Sequence, residues 1–452
     1  MRHVSKGRRI HGYSCSRSGK KRGLSLPCPQ TGWKRPELSV ERVSNKSLRT
    51  YELGDLYVRK SLIAVLLGTV VTASPALAQD DPIKIGFVTS LTTPAAVIGF
   101  EMKNAAELAM EHIGGEMGGR KAEIIFEDDG FTPATGKQST DKLLKQDKVD
   151  FMTGFIWSHV LLASSKAILD NGTFLISANA GPSQLAGKGC HKNFFNVSWQ
   201  NGQPAEAMGA VLNQMGVKSL YLMAPNYASG KDQTGALEGA YNGEIKGKDM
   251  TKWGADAQLD FSAELAKAKA SGAEAIWIFY PGKAGNAFIQ QYVQSGVADT
   301  MPLYSVFTLD SISLPKLQDA GLTGVLGARE TLQWSPDMDN PATKKFVADY
   351  KAKHGAYPSY YAQQAYDAIM LIKSAVDAVG GDLSDQDAVR AALEKADFDS
   401  LRGDFKFGNN HFPIQDFYLR EVVADEDGRW TTKIVSKVTE DAVDSYASEC
   451  KM

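Results

Sequence analysis

Residues 83–91 read IKIGFVTSL, a short run of β-forming residues, and a second such run, AEIIFEDD, occupies residues 122–129. Between them, apolar residues recur at helical spacing from Ala105 to Ile113, and the pair Gly114-Gly115 ends the predicted helix. Further strand-like runs, separated by helical patterns, are VDFMTGFI (149–156), TFLISANA (173–180), SLYLMAPN (219–226), AEAIWIFYPG (273–282) and PLYSVFTL (302–309). Short apolar strands that alternate with amphipathic helices predict parallel sheets with helices on both faces.

The alternation of strands and helices starts a second time after residue 200. We interpret FFNVSW (194–199) as a link between two similar α/β units. A long helix that opens at Pro358 is expected to bring the chain back to the first unit, and two charged, alternating strands near the C-terminus are expected to form a hairpin on the second. The sequence therefore predicts an α/β protein of two doubly wound lobes, the first from residues 82–200 plus 333–408 and the second from 201–330 plus 411–452.

An export signal precedes this region. Residues 61–73 read SLIAVLLGTVVTA, with Arg59 and Lys60 before them and Ala76-Leu77-Ala78 after them. A basic start, a short apolar core and an A-x-A end predict a secretory signal peptide over residues 58–78, cut after Ala78, and a periplasmic location. The alternative is a buried helix of a cytoplasmic domain; the apolar run is shorter than the ~20 residues that a membrane span needs.

Residues 1–57 are basic and rich in Ser, Gly and Arg. Because signal peptides rarely lie this far inside a chain, we interpret these residues as an untranslated extension ahead of a start near Val58. The alternative is a disordered basic tail.

The charge balance changes when residues 1–78 are set aside. They hold 15 basic and 4 acidic residues, so residues 79–452 hold 35 basic and 48 acidic ones, a net charge of about −13. A chain this acidic is a poor ligand for nucleic acid or an anionic membrane, so we expect neither partner.

Two of the four cysteines, Cys190 and Cys450, lie after the predicted signal peptide. In an exported chain a pair of cysteines suggests one disulfide, here between the C-terminus and the loop before FFNVSW. Two separate thiols are the alternative.

Motifs for catalysis are missing from residues 79–452. There is no GxGxxG after the first strand, no GxxxxGK[ST], no HExxH, no CxxC pair and no GxSxG. The histidines show no metal-ligand spacing, and Asp128-Asp129 is better explained as a solvated turn than as a metal site. We therefore expect no enzyme activity, no cofactor and no bound metal. An enzyme on a doubly wound fold remains the rival class, and turnover of a ligand would revive it.

The loops that follow the predicted strands carry better signals for binding. They are rich in hydroxyl, aromatic and small residues, as in FIWS (155–158), SANAGPS (177–183), PNYASG (225–230) and FYPG (279–282). Ligands of doubly wound sheets lie beyond the carboxyl ends of the strands. A hydroxyl with free backbone N–H groups at a helix start suits a carboxylate, and aromatic side chains suit an apolar body. For any single residue, helix capping or core packing is the simpler explanation, and Ser158 in particular can cap the helix after it.

From about residue 82 to 452 the chain resembles the leucine/isoleucine/valine-type (type I) periplasmic solute-binding proteins of ABC importers. The resemblance lies in the order of four stretches: IKIGFVTSLTTPAAVIGFEMKNAAELAMEHI, VDFMTGFIWS, FLISANAGPSQL and PSYYAQQAYDAIMLI. It implies two lobes joined by three hinge segments that close on a small ligand, a membrane permease as partner, and a monomer.

The resemblance also implies site residues. Ser158 and the backbone of Asn179 and Ala180 would hold a ligand carboxylate, and Tyr227 and Tyr280 would come from the second lobe. Ile98 falls where the family places an aromatic residue that packs on the ligand. The remaining candidate ligand-binding residues are Trp157, Thr308, Asp310 and Tyr360.

One departure from the family bears on the ligand. Amino-acid binders need an acidic residue for the ammonium group, and Thr308 occupies that place here, with Asp310 two residues on. The many aromatic residues make the chain similar to the branch that binds aromatic acids. A buried ammonium without a carboxylate would be costly, so an aromatic or other apolar carboxylate is our first expectation, and a branched-chain or related amino acid the second. A periplasmic sensor that partners a receptor is a further alternative.

Overall fold

The computed structural model describes residues 81–254 and 256–452. The expected extension (1–57) and signal peptide (58–78) lie outside these residues. Within the described ranges, no helix combines the length and the hydropathy that a bilayer crossing requires.

The first sheet has six strands in the order β2-β3-β1-β4-β5-β6. All neighbours are parallel except β2 and β3. Apart from the two-residue β2 and the partly exposed β3, these strands are nearly fully buried, which is why they appear in the sequence as short apolar runs. The strands are β1 Ile83–Thr89, β2 Glu116–Met117, β3 Arg120–Asp128, β4 Phe151–Gly154, β5 Phe174–Ser177 and β6 Phe194–Asn196.

Helices from two distant parts of the sequence pack on this sheet. The long helix α11 lies against α1, and the His112 ring nitrogen and the Tyr366 hydroxyl are 2.8 Å apart between them. Thr132 caps α2 and Ser359 caps α11, as expected for an oxygen that accepts from an early backbone N–H. The helices of this lobe are α1 Ala96–His112, α2 Pro133–Lys142, α3 Ser158–Asp170, α4 Ser183–Ala186, α10 Pro341–His354, α11 Tyr360–Ala378 and α12 Gln386–Lys395.

The second sheet runs in the order β12-β13-β11-β10-β9-β7-β8, with β14 also paired to β13. Strands β7 to β11 are parallel, whereas β13 is antiparallel to β11, β12 and β14. The strands are β7 Ser219–Pro225, β8 Glu244–Thr251, β9 Ala275–Phe279, β10 Leu303–Val306, β11 Arg329–Leu332, β12 Lys406–Phe407, β13 Pro413–Ala424 and β14 Trp430–Ala442. The helices are α5 Gln203–Met215, α6 Ala228–Ala240, α7 Ser262–Ser271, α8 Lys283–Gln294 and α9 Leu314–Asp319.

The structure corrects one local expectation and adds features that were not predicted. FFNVSW is not only a link, because its first three residues form β6, the last strand of the first sheet. Asp385 is the N-cap of α12, and its carboxylate accepts from two backbone N–H groups. Strands β8 and β11 were not predicted; β8 is a half-exposed edge strand, so it lacks the apolar run that marks its neighbours.

Buried arginines hold the segments that pass between the two sheets. The guanidinium of Arg402 donates to the carbonyl oxygens of Val197 and Ser198 and, at 2.6 Å, to Gln415, and it pairs with Asp367 at 3.4 Å. Both partners of this ion pair are almost fully buried. Arg420 of β13 holds another segment that passes between the sheets. It pairs with Glu330 and donates to the carbonyl oxygen of Trp334 at 3.1 Å.

A disulfide joins Cys190, after α4, to Cys450 near the C-terminus, with an S–S distance of 2.05 Å. This is the pairing expected from the sequence. It ties the last residues of the chain to the loop that precedes β6.

We expect the double variant Cys190→Ser/Cys450→Ser to be less stable than the oxidised protein by about 2–4 kcal/mol, because the bond closes a loop of 260 residues in the unfolded chain. Thermal and denaturant unfolding of both proteins, with and without reductant, measure the difference. Equal stability of the oxidised protein and the variant would contradict the expectation, and reductant should leave the variant unchanged.

Candidate functional site

The loops after the strands of both sheets meet in a cleft between the lobes, and the lobes are closed on one another there. Aromatic side chains form much of the contact: Trp157 of the first lobe lies 5.5 Å from Trp253 of the second, and the His159 ring lies 5.4 Å from that of Tyr227. Phe131 lies 4.5 Å from Trp157 and 5.5 Å from Trp253.

A small cavity of about 10 Å³ lies within this closed cleft. The first lobe and the segment that leaves it contribute Ile156, Trp157, Ser158, Asn179, Ala180, Trp199, Asn201 and Tyr361. The second lobe contributes Tyr227, Ser229, Phe279, Pro281 and Phe307. Five residues singled out from the sequence therefore lie together at this cavity: Trp157, Ser158, Asn179, Ala180 and Tyr227.

Ser158 is the first residue of α3 and is not its cap. The N-cap is Trp157, whose backbone is extended and whose side chain makes no capping hydrogen bond. The Ser158 hydroxyl oxygen instead accepts from the side-chain amide of Asn201 at 3.1 Å. The helix start also directs a partial positive charge toward the cavity, which favours an anion there.

The Asn179-Ala180 turn offers one free backbone donor, where two were expected. The Ala180 N–H already donates to the carbonyl oxygen of Phe155 at 3.0 Å. Among the hydrogen bonds of the described residues, the Asn179 N–H has no acceptor. The Asn179 side chain donates to the Ile156 carbonyl oxygen at 2.6 Å, which leaves its own amide oxygen buried and unpaired.

In the second lobe, the residues at the cavity are the direct neighbours of the ones expected. Phe279 and Phe307 line the cavity, whereas Tyr280 and Thr308 do not. The Tyr280 hydroxyl lies 3.0 Å from that of Thr251, inside the lobe, and the Thr308 hydroxyl accepts from the Tyr280 N–H at 3.0 Å. Successive side chains of a strand point to opposite faces, so a shift of one residue exchanges a cavity position for a core position.

Asp310 and Tyr360 also lie outside the cavity lining. The Asp310 carboxylate accepts from the backbone N–H groups of Ile312 and Ser313, both at 2.9 Å. Burial raises its pKa to about 7. Tyr360 packs behind the cavity, 5.3 Å from the ring of Phe307, and its neighbour Tyr361 reaches the cavity instead.

Ile98 lies in a second, apolar cavity that shares Trp157 and Pro281 with the first. Its wall includes Phe131 and Trp253, the aromatic residues that close the cleft. Trp157 therefore borders both the cavity that contains Ile98 and the cavity that contains Ser158.

The lining of the first cavity contains no acidic residue. Through Asn201 the cavity lining is hydrogen-bonded to the carboxylate of Asp232, which accepts from Asn201 at 2.9 Å and from the Ser183 hydroxyl at 2.8 Å. Burial raises the pKa of Asp232. Within residues 81–254 and 256–452, no three residues among His, Cys, Asp and Glu converge so that they could hold a metal ion.

Several cavity residues had no usable signal in the sequence. Asn201 lies beyond the last strand of the first sheet, and its position depends on a contact with Gly181 that only the fold creates. Phe279, Phe307 and Tyr361 are each the direct neighbour of a residue predicted from the sequence. The sequence therefore identified the loops, but not which residue of each loop faces the cavity.

The fold and the cleft define a two-lobed α/β binding protein. A family model described as periplasmic binding protein matches residues 82–429, and the chain belongs to this family. It is similar to Leu/Ile/Val-binding protein homolog 6 of Brucella abortus (strain 2308), with 26% identity over 385 residues that cover 82% of this chain and 95% of that relative.

Solved structures agree on the fold. An ABC transporter solute-binding protein from R. palustris in complex with benzoate has 26% identity and a TM-score of 0.76, over 82% of this chain and all of that one. A leucine-binding protein from Thermotoga maritima has 19% identity and a TM-score of 0.68, over 78% of this chain and 98% of that one. The protein is thus a periplasmic solute-binding protein and not an enzyme.

Burial of His159 lowers its pKa to about 4. Between pH values of about 6.5 and 4 the unfolded chain binds a proton at this residue that the folded chain does not. The stability contributed by neutral His159 is therefore complete above about pH 6.5 and is lost as the pH falls toward 4, by at most about 3 kcal/mol. We expect His159→Gln to lose less stability than the wild type over this range in denaturant unfolding. Parallel pH profiles of the two proteins would contradict this.

Proposed function

We propose that this protein captures a small aromatic or other apolar carboxylate between its lobes and delivers it to the membrane permease of an ABC importer. One observation carries the proposal. One end of the cavity offers hydrogen-bond donors, and the rest of the lining is apolar and contains no acidic residue.

The donor-rich end suits a carboxylate. Ser158 lies at the start of α3, which follows β4, and the free N–H of Asn179 lies in the loop that follows β5. Strands β4 and β5 are parallel neighbours in the first sheet. Hydrogen bonds from buried donors to an anion are stronger than bonds between neutral groups, and exclusion of water on closure strengthens them further.

The remainder of the cavity suits an apolar body. Phe279 and Phe307 approach from the second lobe, and the Phe307 ring stacks on Trp199 with centroids 4.2 Å apart. An aromatic ligand would find flat partners here, at the usual centroid distances of 4.5–7 Å.

An amino acid fits this cavity less well. Its ammonium group would be enclosed without a carboxylate among the lining residues, and an unpaired buried charge costs several kcal/mol. The relative from R. palustris binds benzoate, whereas the curated relatives carry Leu/Ile/Val-binding names. Branched-chain amino acids are therefore the second candidate, with Asp232 or Asp310 as the acid that would serve the ammonium. A sensor that partners a receptor is a third.

The proposed mechanism contains no covalent step. Ligand binds to one lobe of an open form, the hinge segments allow closure, and the closed form docks on the permease. The same proposal includes a monomer, a signal peptide cut after Ala78, and lobes bounded as residues 82–200 plus 333–408 and 201–330 plus 411–452. For the second lobe we extend the first boundary to Leu332, where β11 ends.

A thermal-shift panel tests the ligand class. We expect benzoate or a hydroxylated benzoate to raise the melting temperature, because a ligand at 100 times its Kd adds about 2.7 kcal/mol of stability. The neutral analogue benzamide, which has the same ring without the negative charge, should do so far less. A shift with leucine or valine and none with the acids would overturn the aromatic-carboxylate proposal.

Ser158→Ala should weaken the binding of the best acid by about 1–3 kcal/mol, since it removes a hydrogen bond to a buried acceptor. Isothermal titration calorimetry measures the change. Ser164→Ala is a matched control: Ser164 is a buried serine of the same helix, its hydroxyl has no partner, and it does not line the cavity. If both variants bind like the wild type, Ser158 has no part in ligand binding.

A further inference from the structure

The Asn201 side chain joins the first lobe, the second lobe and the ligand cavity. Its amide oxygen accepts from the Gly181 N–H at 3.2 Å, and its amide nitrogen lies 3.1 Å from the Ser158 oxygen and 2.9 Å from the Asp232 carboxylate. Asn201 is only 2% exposed, so water does not compete for these contacts.

The orientation of this amide is fixed by its neighbours. The Gly181 N–H can only donate, so the atom facing it must be the amide oxygen. The Asp232 carboxylate accepts, so the atom facing it must be the nitrogen. A flipped amide would place donor against donor and acceptor against acceptor, and both contacts would be lost.

This orientation decides what Ser158 can do. Because Asn201 donates to the Ser158 oxygen, the hydroxyl proton of Ser158 must point elsewhere. Among the described residues no acceptor takes that proton, and the hydroxyl lies at the cavity.

We propose that Asn201, oriented by Gly181 and Asp232, is a positioning residue that makes the Ser158 hydroxyl an obligatory hydrogen-bond donor toward the ligand. The site therefore selects a ligand acceptor, such as a carboxylate oxygen, at this point and disfavours an ammonium group, which can only donate. This inference rests on the proposed function, because it describes how the same site recognises the carboxylate.

Asp232 links this selection to closure. It lies on α6 of the second lobe, and it accepts from the N–H and the hydroxyl of Ser183 in the first lobe at 3.1 and 2.8 Å. The second anchor of the Asn201 amide is therefore supplied across the cleft.

A double-mutant cycle with benzoate as the probe tests the inference. We expect Asn201→Ala to weaken binding about 10- to 100-fold in the wild type, the effect of losing a well-made bond to a charged group, but only slightly in a Ser158→Ala background. Ser229 also lines the cavity and, among the described residues, shares no hydrogen bond with Asn201, so the effects of Asn201→Ala and Ser229→Ala should be additive. An equal loss in both Ser158 backgrounds would overturn the inference.

Neutron diffraction from crystals of the deuterated protein in its closed, ligand-free form supplies a test that needs neither a ligand nor a variant. The Ser158 deuteron is expected to point away from Asn201 and into the cavity. A deuteron directed at Asn201 overturns the inference even if benzoate binds. If no aromatic acid binds but the deuteron points into the cavity, the proposed ligand class fails and the positioning role stands.

Discussion

The geometry of the cleft depends on the buried ion pair between Arg402 and Asp367. A guanidinium taken out of water is costly unless its donors are used. Here the two terminal nitrogens of Arg402 donate to the carbonyl oxygens of Val197 and Ser198, to Gln415 and to the Asp367 carboxylate, whereas Nε has no partner among the described residues. Burial lowers the Arg402 pKa only to about 10, so the charge persists at neutral pH. Removal of either Arg402 or Asp367 would leave the other charge buried without its partner. The same ion pair therefore holds the first crossing segment, which contains Val197 and Ser198, in one path.

That path determines where the first lobe presents its polar residues. Three residues after Ser198 the chain reaches Asn201, whose backbone N–H donates to the Gly181 carbonyl oxygen at 2.7 Å. A crossing segment displaced by one residue would withdraw the Asn201 amide from both Gly181 and Ser158. The hinge thus acts as more than a flexible joint, because its fixed end also builds part of the binding site.

Sequence alone was enough for the α/β alternation, the two sheets, the C-terminal hairpin and the disulfide. These features depend on runs of buried residues or on the compartment, and both leave a local signal. Strand β8 leaves none, because an edge strand with an exposed face needs no apolar run. The register within the loops was also out of reach: Tyr280 and Phe279 are both aromatic, and only the direction of the strand end decides which one enters the cavity.

The one-residue shift that places Phe307 rather than Thr308 at the cavity strengthens the argument against an amino-acid ligand. At residue 308 the sequence indicated the loss of an acidic group, but a threonine there could still have offered a polar contact. The fold turns Thr308 into the lobe, where its hydroxyl serves the Tyr280 N–H, and brings Phe307 to the cavity in its place. The position that faces the ligand is therefore apolar and not merely uncharged. The Asp310 carboxylate accepts from the backbone N–H groups of Ile312 and Ser313, just before α9, and Asp310 is not part of the cavity lining.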